Sequence, residues 1–421
     1  MYACTQTTII THTHGSADAG DPTVDEDAGV VDVDSGTTTT DAGTKKDAGP
    51  TSTSKTEVPE PDVTYNGGNI LDAPKIVTVT FDGDAMRDTM EAFDDVITTT
   101  AWWDAVSPEY CDSRGKCIGH GTSGGHVHVS TPPAGSYDDT AGNGTSSLKT
   151  YIDAQIQSGL FPAPDENTLY VIFFPSTTSI SLDGDTSCQT FGGYHNAMSS
   201  TPPEAGGPVQ FTYAILPRCS GSQSDLTLST SHEIIEAATD PFITTNAMGY
   251  YAYGSATDAW DYTGGGGEVG DRCFDLTGQA DDTYDESSYV VQRSWSNAAA
   301  KASHDPCVPA PSPKTTPYFN MAPKGSDMLT MAVGDSQVIE LTAFSDAPMG
   351  TFAIDAIEIS DYVGLTNVLG LTLDETGVQN GQKAHLTVEL QSSPSQGYAI
   401  FIVTSTSGAQ QHSWSFLVQS M

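Results

Sequence analysis

Two kinds of side chain that bind metals, imidazole and carboxylate, stand close together in the segment Ser-His-Glu-Ile-Ile-Glu at 231–236. It begins like the zinc motif H-E-x-x-H, with Glu236 in place of the second histidine. On a helix, His232 and Glu236 would share one face, and both can ligate zinc. Glu233, one position further round, could then act as a general base in hydrolysis. Any acidic helix that contains a histidine fits the same pattern, so the segment needs support from elsewhere in the chain.

An acidic segment further along the chain gives that support. Glu268 and Asp271 follow the four glycines at 264–267 and stand shortly before Cys273. A catalytic zinc site commonly has three protein ligands, and either carboxylate could be the third. Asp271 could instead accept the second N–H of His232 and orient the ring. The alternative is that both are solvated charges of an acidic loop.

Three other histidines could take part in chemistry. His195, in Gly-Gly-Tyr-His, could ligate a metal or contact a substrate, or it could be a loop histidine held by hydrogen bonds. His126 and His128 alternate on a predicted strand and face one side of it, which makes them a possible second metal pair without an evident third ligand. Ser231 precedes His232, but the G-x-S-x-G elbow of a serine hydrolase is absent.

The elements that must position these residues alternate between strand and helix patterns. Runs rich in β-branched and aromatic residues predict strands at 75–81, 126–129, 168–175 and 210–217. Apolar residues at helical spacing predict helices over 84–106, 146–160 and 225–241, the last of which ends at a proline. This order predicts an α/β or α+β domain over residues 63–310.

Seven cysteines constrain the fold and its compartment. With Cys4 set aside, six remain, for which fifteen pairings are possible. Their order in the sequence favours three bridges: Cys111–Cys117, Cys188–Cys219 and Cys273–Cys307. The lack of a C-x-x-C pair argues against cysteine-bound zinc. Oxidised cysteines and a low lysine content predict a protein outside the cytoplasm.

The N-terminus has the features of an anchor and a spacer. Cys4 directly follows Ala3, as at the end of a bacterial lipobox, where the cysteine is lipidated; a free cysteine is the alternative. The charged and apolar parts of a signal peptide are missing, as they would be if the start were assigned too late or the chain trimmed. Residues 17–62 repeat Asp-Ala-Gly and lack aromatic residues, so residues 1–62 are expected to end in a disordered stalk. Calcium binding is disfavoured because EF-hand spacing is absent.

The net charge excludes some partners. The chain has 15 lysines and arginines against 54 aspartates and glutamates, a formal charge of −39. Such a surface repels nucleic acid and anionic lipid and attracts cations. No apolar stretch reaches the ~20 residues of a membrane span, so membrane contact is expected only through a lipid at Cys4.

The C-terminal region has a different pattern. A proline-rich linker at 308–317 precedes predicted strands at 336–344, 383–390 and 397–406, separated by turn signals. Residues 311–421 are therefore predicted to be an all-β immunoglobulin-like sandwich. The region has no cysteine and no catalytic cluster, which favours a role in adhesion or spacing.

Several motifs in order resemble a known family. They are Tyr-Asn-Gly-Gly-Asn-Ile-Leu at 65–71, Gly-Gly-Tyr-His at 192–195, His-Glu-Ile-Ile-Glu-Ala-Ala-Thr-Asp-Pro at 232–241 and Glu-Val-Gly-Asp-Arg-Cys at 268–273. Residues 63–280 resemble the EXORDIUM-like, or phosphate-induced, secreted proteins and microbial relatives with H-E-x-x-E-A-x-T-D-P followed by E-[IV]-G-D-x-C. The resemblance implies a zincin-like metallopeptidase fold with a metal at His232 and Glu236. The plant members are discussed as growth-related extracellular proteins.

The expected function follows from these residues. We expect a zinc-dependent, metallopeptidase-like hydrolase, secreted from or lipid-anchored at a bacterial cell surface. His232, Glu236 and either Glu268 or Asp271 would hold Zn²⁺, Glu233 would be the base, and the partner would be a peptide or protein substrate. The alternative is a non-catalytic surface or cell-wall-binding protein in which the same metal site is structural.

Overall fold

The computed structural model describes residues 62–131, 133–140, 146–203, 205–243, 247–252, 259–260, 266–273, 282–310 and 317–421. All of them belong to one compact unit. Cys4 and the predicted stalk, apart from its last residue, lie outside the described residues, as does most of the predicted linker. No helix in the described part of the chain is long and apolar enough to cross a membrane.

The described chain is mostly β-sheet with few helices. The strands up to residue 310 are β1 (Lys75–Phe81), β2 (Thr122–Val129), β3 (Ser136–Asp138), β4 (Thr168–Phe174), β5 (Ser179–Leu182), β6 (Asp185–Thr186), β7 (Tyr194–Ser200), β8 (Val209–Pro217), β9 (Thr283–Glu286), β10 (Tyr289–Gln292), β11 (Ser294–Trp295) and β12 (Cys307–Val308). The helices are α1 (Arg87–Asp94), α2 (Ala101–Val106), α3 (Ser147–Gln157), α4 (Gln223–Thr239) and α5 (Asn297–Lys301).

A five-stranded sheet with the order β2-β1-β4-β8-β7 organises this region. The pairs β1–β2, β1–β4 and β4–β8 are parallel, and β7 pairs antiparallel with β8 at one edge. All seven residues of β4 are buried, as expected of a strand covered on both faces. Helices α1, α2 and α4 contribute to the core on one face, and α3 contributes to the core on the other.

The helix predicted over 84–106 is wrong as a single element. It is divided into α1, a 3-10 turn at Ile97–Thr99 and α2. The run Val-Ile-Thr-Thr-Thr explains the break, because β-branched side chains lose rotamer freedom in a helix. Thr100 then begins α2 by accepting a hydrogen bond from the Trp103 N–H. The predicted strand at 126–129 is present but starts earlier, at Thr122.

The two other predicted helices are confirmed. Ser146 caps α3 by accepting from the Lys149 N–H, and Ser222 caps α4 by accepting from the Asp225 N–H. Helix α4 ends at Thr239, with Asp240 as its C-cap before a proline. Nearly every residue of its second half is buried, so α4 is an internal helix and not an amphipathic surface helix.

All three predicted disulfides are confirmed, Cys111–Cys117, Cys188–Cys219 and Cys273–Cys307. The second links the segment before β7 to the end of β8. The third holds the segment before residue 274 to β12. Three disulfides indicate an extracellular or secreted protein, because such bonds persist in oxidising compartments.

The C-terminal region consists of two sheets. Its strands are β13 (Phe319–Pro323), β14 (Met328–Met331), β15 (Ser336–Ser345), β16 (Phe352–Glu358), β17 (Leu369–Leu373), β18 (Gly377–Val378), β19 (Lys383–Leu390), β20 (Tyr398–Ser407) and β21 (Gln410–Ser420). The sheet orders are β13-β15-β19-β17 and β14-β21-β20-β16-β18. Contacts of β13 with β21 and of β16 with β17 join them around a common apolar core. The strands predicted at 336–344, 383–390 and 397–406 are confirmed.

A group of three tryptophans joins the two regions. The Trp260 ring lies edge-on to Trp295, with centroids 5.7 Å apart, and edge-on to Trp414 of β21, at 5.3 Å. The Trp260 Nε1–H donates to Asp327 Oδ2 at 3.2 Å. The segment that carries Glu268 and Asp271 therefore starts from a residue packed against the last strand of the fold.

Candidate metal centre

Helix α4 carries His232, Glu233 and Glu236 into the interior. It packs against β7 and β8 on one side and against β10 on another. The three side chains are therefore buried, at no more than 4% exposure per residue. Ionised groups removed from water need partners, so the surroundings of these three residues decide what the helix can bind.

His195 of β7 faces α4. Its Nδ1 lies 3.5 Å from Glu233 Oε2 and 3.8 Å from Glu236 Oε2. Its Nε2 lies 3.1 Å from the Asp240 carbonyl oxygen and 3.5 Å from Glu268 Oε1. The expectation that His195 lies in a loop is wrong, because Gly-Gly precedes a strand in which successive side chains point to opposite faces.

The neighbours of His195 on β7 point the other way, as that alternation requires. Tyr194 and Asn196 both donate hydrogen bonds to Asp139 Oδ2, at 2.9 and 3.2 Å. Tyr213 of β8 donates to the same oxygen at 2.7 Å. This buried carboxylate anchors β7 from the opposite face and so fixes the face on which His195 lies.

The segment 266–273 returns beneath α4 through its backbone. The N–H groups of Gly270 and Asp271 donate to Glu236 Oε1 at 3.2 and 3.1 Å. A Cβ on Gly270 would lie 2.7 Å from Glu236 Oε1 and 2.9 Å from His232 Nδ1. Only glycine fits between these two side chains, so the motif Glu-Val-Gly-Asp encodes a close approach of backbone to site.

Gln292 at the end of β10 orients His232. The His232 Nδ1–H donates to Gln292 Oε1 at 2.9 Å, and the Gln292 Nε2 donates to the Gly270 carbonyl at 2.7 Å. The second bond fixes the amide orientation and therefore the imidazole tautomer. His232 Nε2 is left facing Glu236 Oε2 at 3.0 Å and Asp271 Oδ1 at 3.7 Å. Gln292 was not predicted from the sequence, because no local pattern connects it with α4.

Carboxyl groups outnumber imidazoles among these buried side chains. The centre contains two imidazoles and five carboxyl groups: His195, His232, Glu233, Glu236, Asp240, Glu268 and Asp271. Burial, with the field of the other carboxylates, raises the pKa of Glu268 well above its usual range. Burial, followed by the charge of Glu236, raises the pKa of Asp271 to about 8, and burial raises the pKa of Asp240 to about 6.

The histidines respond in the opposite sense to burial. Burial lowers the pKa of His232, but the charge and hydrogen bond of Glu236 outweigh it, and the pKa is well above its ordinary value. The pKa of His195 is also raised, because Glu233 and Glu236 outweigh the effect of burial. The same pairing lowers the pKa of Glu236, since His232 and His195 outweigh its desolvation. A cation bound here would offset the same excess of carboxylate charge.

The donor atoms fit a metal ion. Glu268 Oε1 is buried and has no hydrogen-bond partner. Two groups have potential ligand atoms within 4.8 Å of one another, His195–Glu236–Glu268 and His232–Glu233–Glu236. Imidazole and carboxylate donors suit zinc and similar divalent ions. The structure thus brings together all the predicted site residues on α4 and in 266–273, together with His195.

His126 and His128 lie on β2, at the opposite edge of the sheet from β7, and take no part in this centre. Sequence analysis also missed Asp240, whose carbonyl oxygen contacts His195 Nε2. The Asp-Pro pair at the end of α4 was the sequence signal for this contact. A carbonyl group at a helix C-terminus has no partner within the helix and is therefore available to another side chain.

Comparisons with known proteins assign no family. No protein-family model matches the chain, and neither does any curated protein. Three of the solved structures that match each cover 25% of this chain: the titin M3 domain at 14% identity over 95% of that chain, a titin I67–I69 fragment at 18% over 32%, and a chimeric titin Z1Z2 at 10% over 93%. The TM-score of each is 0.16, too low to support an argument about the fold.

Proposed function

We propose that the centre binds zinc and that the protein is an extracellular zinc-dependent hydrolase of the metallopeptidase type, with a zincin-like arrangement of α4 against the sheet. The observation that carries the proposal is the buried excess of carboxylates around two histidines, with Glu268 Oε1 left without a hydrogen-bond partner. A buried group of this kind is more stable with a cation than without one.

We propose His232, Glu236 and His195 as the ligands; the two histidines belong to different groups that share Glu236, so binding the ion would bring them closer together. Each histidine has one ring nitrogen engaged by an oxygen, Gln292 Oε1 or the Asp240 carbonyl. The other nitrogen faces Glu236 Oε2, at 3.0 Å for His232 and 3.8 Å for His195. Two histidines and a glutamate are a ligand set of catalytic zinc sites. Glu268 and Asp271, the third ligands expected from sequence, remain the alternatives.

Glu233 is the proposed general base. Its Oε2 lies 3.5 Å from His195 Nδ1, so it faces the same space as the ligands. A Cβ on Gly193 would lie 3.0 Å from Glu233 Oε1, so this glycine leaves room for the carboxylate beside β7. Zinc, when bound, lowers the pKa of a water molecule and polarises a carbonyl group. Glu233 would accept the proton from that water and pass it to the leaving amine.

A non-catalytic surface or cell-wall-binding protein is the second candidate. It is favoured by one observation, the burial of every proposed ligand at no more than 6% exposure. Structural zinc sites are closed, whereas catalytic sites keep one position open to water or substrate. In that case zinc would stabilise the fold and the binding partner would contact another surface.

Zinc content measured by elemental analysis tests the ligand assignment. We expect one equivalent at this centre, lost in Glu236→Ala and kept in Glu375→Gln, which removes an exposed carboxylate of the C-terminal region. His195→Ala, Glu268→Gln and Asp271→Asn, compared side by side, identify the third ligand. Full zinc in Glu236→Ala, with far-ultraviolet circular dichroism like that of wild type, would contradict the proposal.

Hydrolysis separates the two candidate functions. We expect casein or peptide cleavage that stops with a chelator and returns when zinc is restored. Bound zinc without any cleavage, together with a large loss of thermal stability on chelation, would favour the non-catalytic candidate. Membrane anchoring through Cys4 remains a prediction that intact-mass analysis of the native protein can check.

A further inference from the structure

The edge of the sheet opposite β7 carries a second group of histidines and carboxylates. His126 and His128 lie on the face of β2 that is turned towards α1. Val127 and Val129, which alternate with them, are buried in the core on the other face. The two histidines are two residues apart on one strand, so their rings stand side by side on one face.

Glu91 of α1 lies between the two rings. Its Oε1 is 2.7 Å from His128 Nε2, and its Oε2 is 3.3 Å from His126 Nδ1. The other nitrogen of His126 is 3.0 Å from Asp95 Oδ1. Neighbouring ligand atoms around tetrahedral zinc are ~3.3 Å apart for bonds of ~2.0–2.1 Å. Each ring nitrogen that faces Glu91 is therefore at such a separation from one Glu91 oxygen, whereas Asp95 contacts the opposite nitrogen of His126. An ion between Glu91 and the two rings would draw the rings together, because these ligand atoms do not yet lie within 4.8 Å of one another.

Asp94 adds a third carboxyl group at the base of this group. Asp94 and Asp95 lie three and four positions after Glu91, so each is a neighbour of Glu91 at the end of α1. Asp94 is 2% exposed, its Oδ2 accepts from Thr78 Oγ1 at 2.8 Å, and its Oδ1 has no hydrogen-bond partner. Thr78 of β1 pairs in register with His126, so the buried carboxyl group lies beneath that histidine. Burial, and then Asp95 and Glu91, raise the pKa of Asp94 well above its usual range.

We propose that Glu91, His126 and His128 form a second site for a divalent cation of the zinc type, with Asp95 holding the other nitrogen of His126 as an outer-shell partner. Two imidazoles select zinc, copper, nickel or cobalt over calcium and magnesium, which take oxygen ligands. The side chains of His126 and His128 are 28% and 47% exposed, so the ion exchanges with solvent, unlike one at the α4 centre. This site is independent of the proposed hydrolase function.

A bound ion here would link α1 to the edge strand β2. The described contacts between the two elements at this point are the histidine–carboxylate pairs, which an ion would replace with stronger bonds. The expected effect is a zinc-dependent increase in thermal stability that does not require the α4 centre.

Zinc titration of chelator-treated, full-length protein by isothermal calorimetry tests the site. Wild type should bind one equivalent more than the double variant His126→Gln/His128→Gln. His120→Gln is the matched control, because His120 also pairs with a carboxylate, Asp104 Oδ1 at 2.6 Å, but without a second histidine. It should keep the wild-type stoichiometry. Since losing an outer-shell partner costs ~10–100-fold in metal affinity, Glu91→Gln should weaken this site by at least that factor.

Two results would overturn the proposal: an unchanged stoichiometry and affinity in the double variant, or loss of all zinc binding in Glu236→Ala protein that remains folded. If the α4 centre takes no zinc, wild type should still bind one equivalent and the double variant none. The double variant changes only partly exposed side chains, and its circular dichroism and disulfide content verify its fold.

Discussion

The two edges of the central sheet present the same kinds of side chain at different depths. At β7, His195 meets Glu233 and Glu236 of α4, with side chains 2–4% exposed. At β2, His126 and His128 meet Glu91 of α1, and the exposure ranges from 12% to 47%. Both helices lie on the same face of the sheet. The difference in exposure between the two groups is therefore set by the elements packed around them and not by their residue types.

Depth changes the energetics of a histidine–carboxylate pair. A pair exposed to water contributes ~0–1 kcal/mol, because solvent screens it and ordering two side chains costs entropy. A buried pair has a large desolvation cost, and removing one partner leaves an uncompensated charge. The α4 centre should therefore be strongly sensitive to single substitutions and to metal removal, whereas the α1–β2 group should be less sensitive to both.

The largest expected effect separates the base from the ligands at the buried edge. Glu233→Gln should retain zinc and lose hydrolysis by ~10²–10⁴-fold, because an amide cannot accept the proton. Cleavage rates and zinc content of the same preparation give the measurement. Equal rates in variant and wild type would remove Glu233 from the proposed mechanism.

The disulfides differ in how much of the chain they close. Cys273–Cys307 spans 34 residues and fixes the segment with Glu268 and Asp271, whereas Cys111–Cys117 spans 6 and precedes β2. From loop-closure entropy, replacing each pair by alanine should cost ~4 and ~2 kcal/mol of unfolding free energy. Only the first replacement should also weaken zinc binding at α4. Urea denaturation and zinc titration of the two variants measure both effects, and the reverse order would contradict this account.

Gln292 should contribute to zinc affinity although it lies 60 positions from His232 in the sequence. Gln292→Ala removes the acceptor for His232 Nδ1–H and should weaken zinc affinity ~10–100-fold. Gln157→Ala, on α3, removes a hydrogen-bonded glutamine away from the centre and should leave the affinity unchanged. Competition with a chelator of known affinity measures both variants. Equal affinities would show that His232 keeps its orientation without Gln292.

Proton binding should distinguish the metal-free centre from the loaded one. Because burial and Glu236 raise the pKa of Asp271 to about 8, the folded protein holds a proton that the unfolded chain releases at about pH 4. The stability that this group contributes is complete below about pH 4 and is lost as pH rises toward 8. His232, with its raised pKa, acts in the same direction.

The melting temperature in chelator should therefore fall between pH 5 and pH 8, and saturating zinc should reduce or reverse the fall, because ligands bind metal in their deprotonated forms. Asp271→Asn in chelator should show a smaller decrease than wild type. A melting temperature in chelator that rises over this range would contradict the raised pKa values of Asp271 and His232.

The smallest expected effect lies at the exposed edge. In chelator, His128→Gln should change the free energy of unfolding by less than about 1 kcal/mol, because the pair with Glu91 is partly solvated. His232→Gln under the same conditions should cost clearly more. Similar costs for the two substitutions would remove the distinction between the two edges.

The features predicted from sequence were those with local causes. The terminal proline of α4 and the β-branched runs of β1 and β4 each follow from neighbouring residues. Those signals placed His232, Glu233 and Glu236 on one helix. The break between α1 and α2 also has a local cause, the β-branched run around Ile97–Thr99. The prediction of one helix followed the helical spacing of the apolar residues and gave this run too little weight.

The missed features depend on residues that meet only in the folded chain. Gln292 contacts His232 across 60 positions, and His195 meets Asp240 across 45. The strand that carries His195 is fixed by Asp139, which accepts from Tyr194 and two other side chains of β7 and β8. The order of strands in the sheet determines which of these distant side chains come into contact. The residue pattern of a single segment does not predict that order.

The tryptophan contacts at residue 260 have a consequence for synthesis. Trp414 belongs to β21, the last strand of the chain, and Trp260 stands just before the segment that supplies Glu268 and Asp271. A growing chain therefore lacks the ring of Trp414, against which Trp260 packs, until translation is nearly complete. We expect metal loading to be a late event of biogenesis, and a nascent chain stalled before β21 to retain zinc less well than the finished protein.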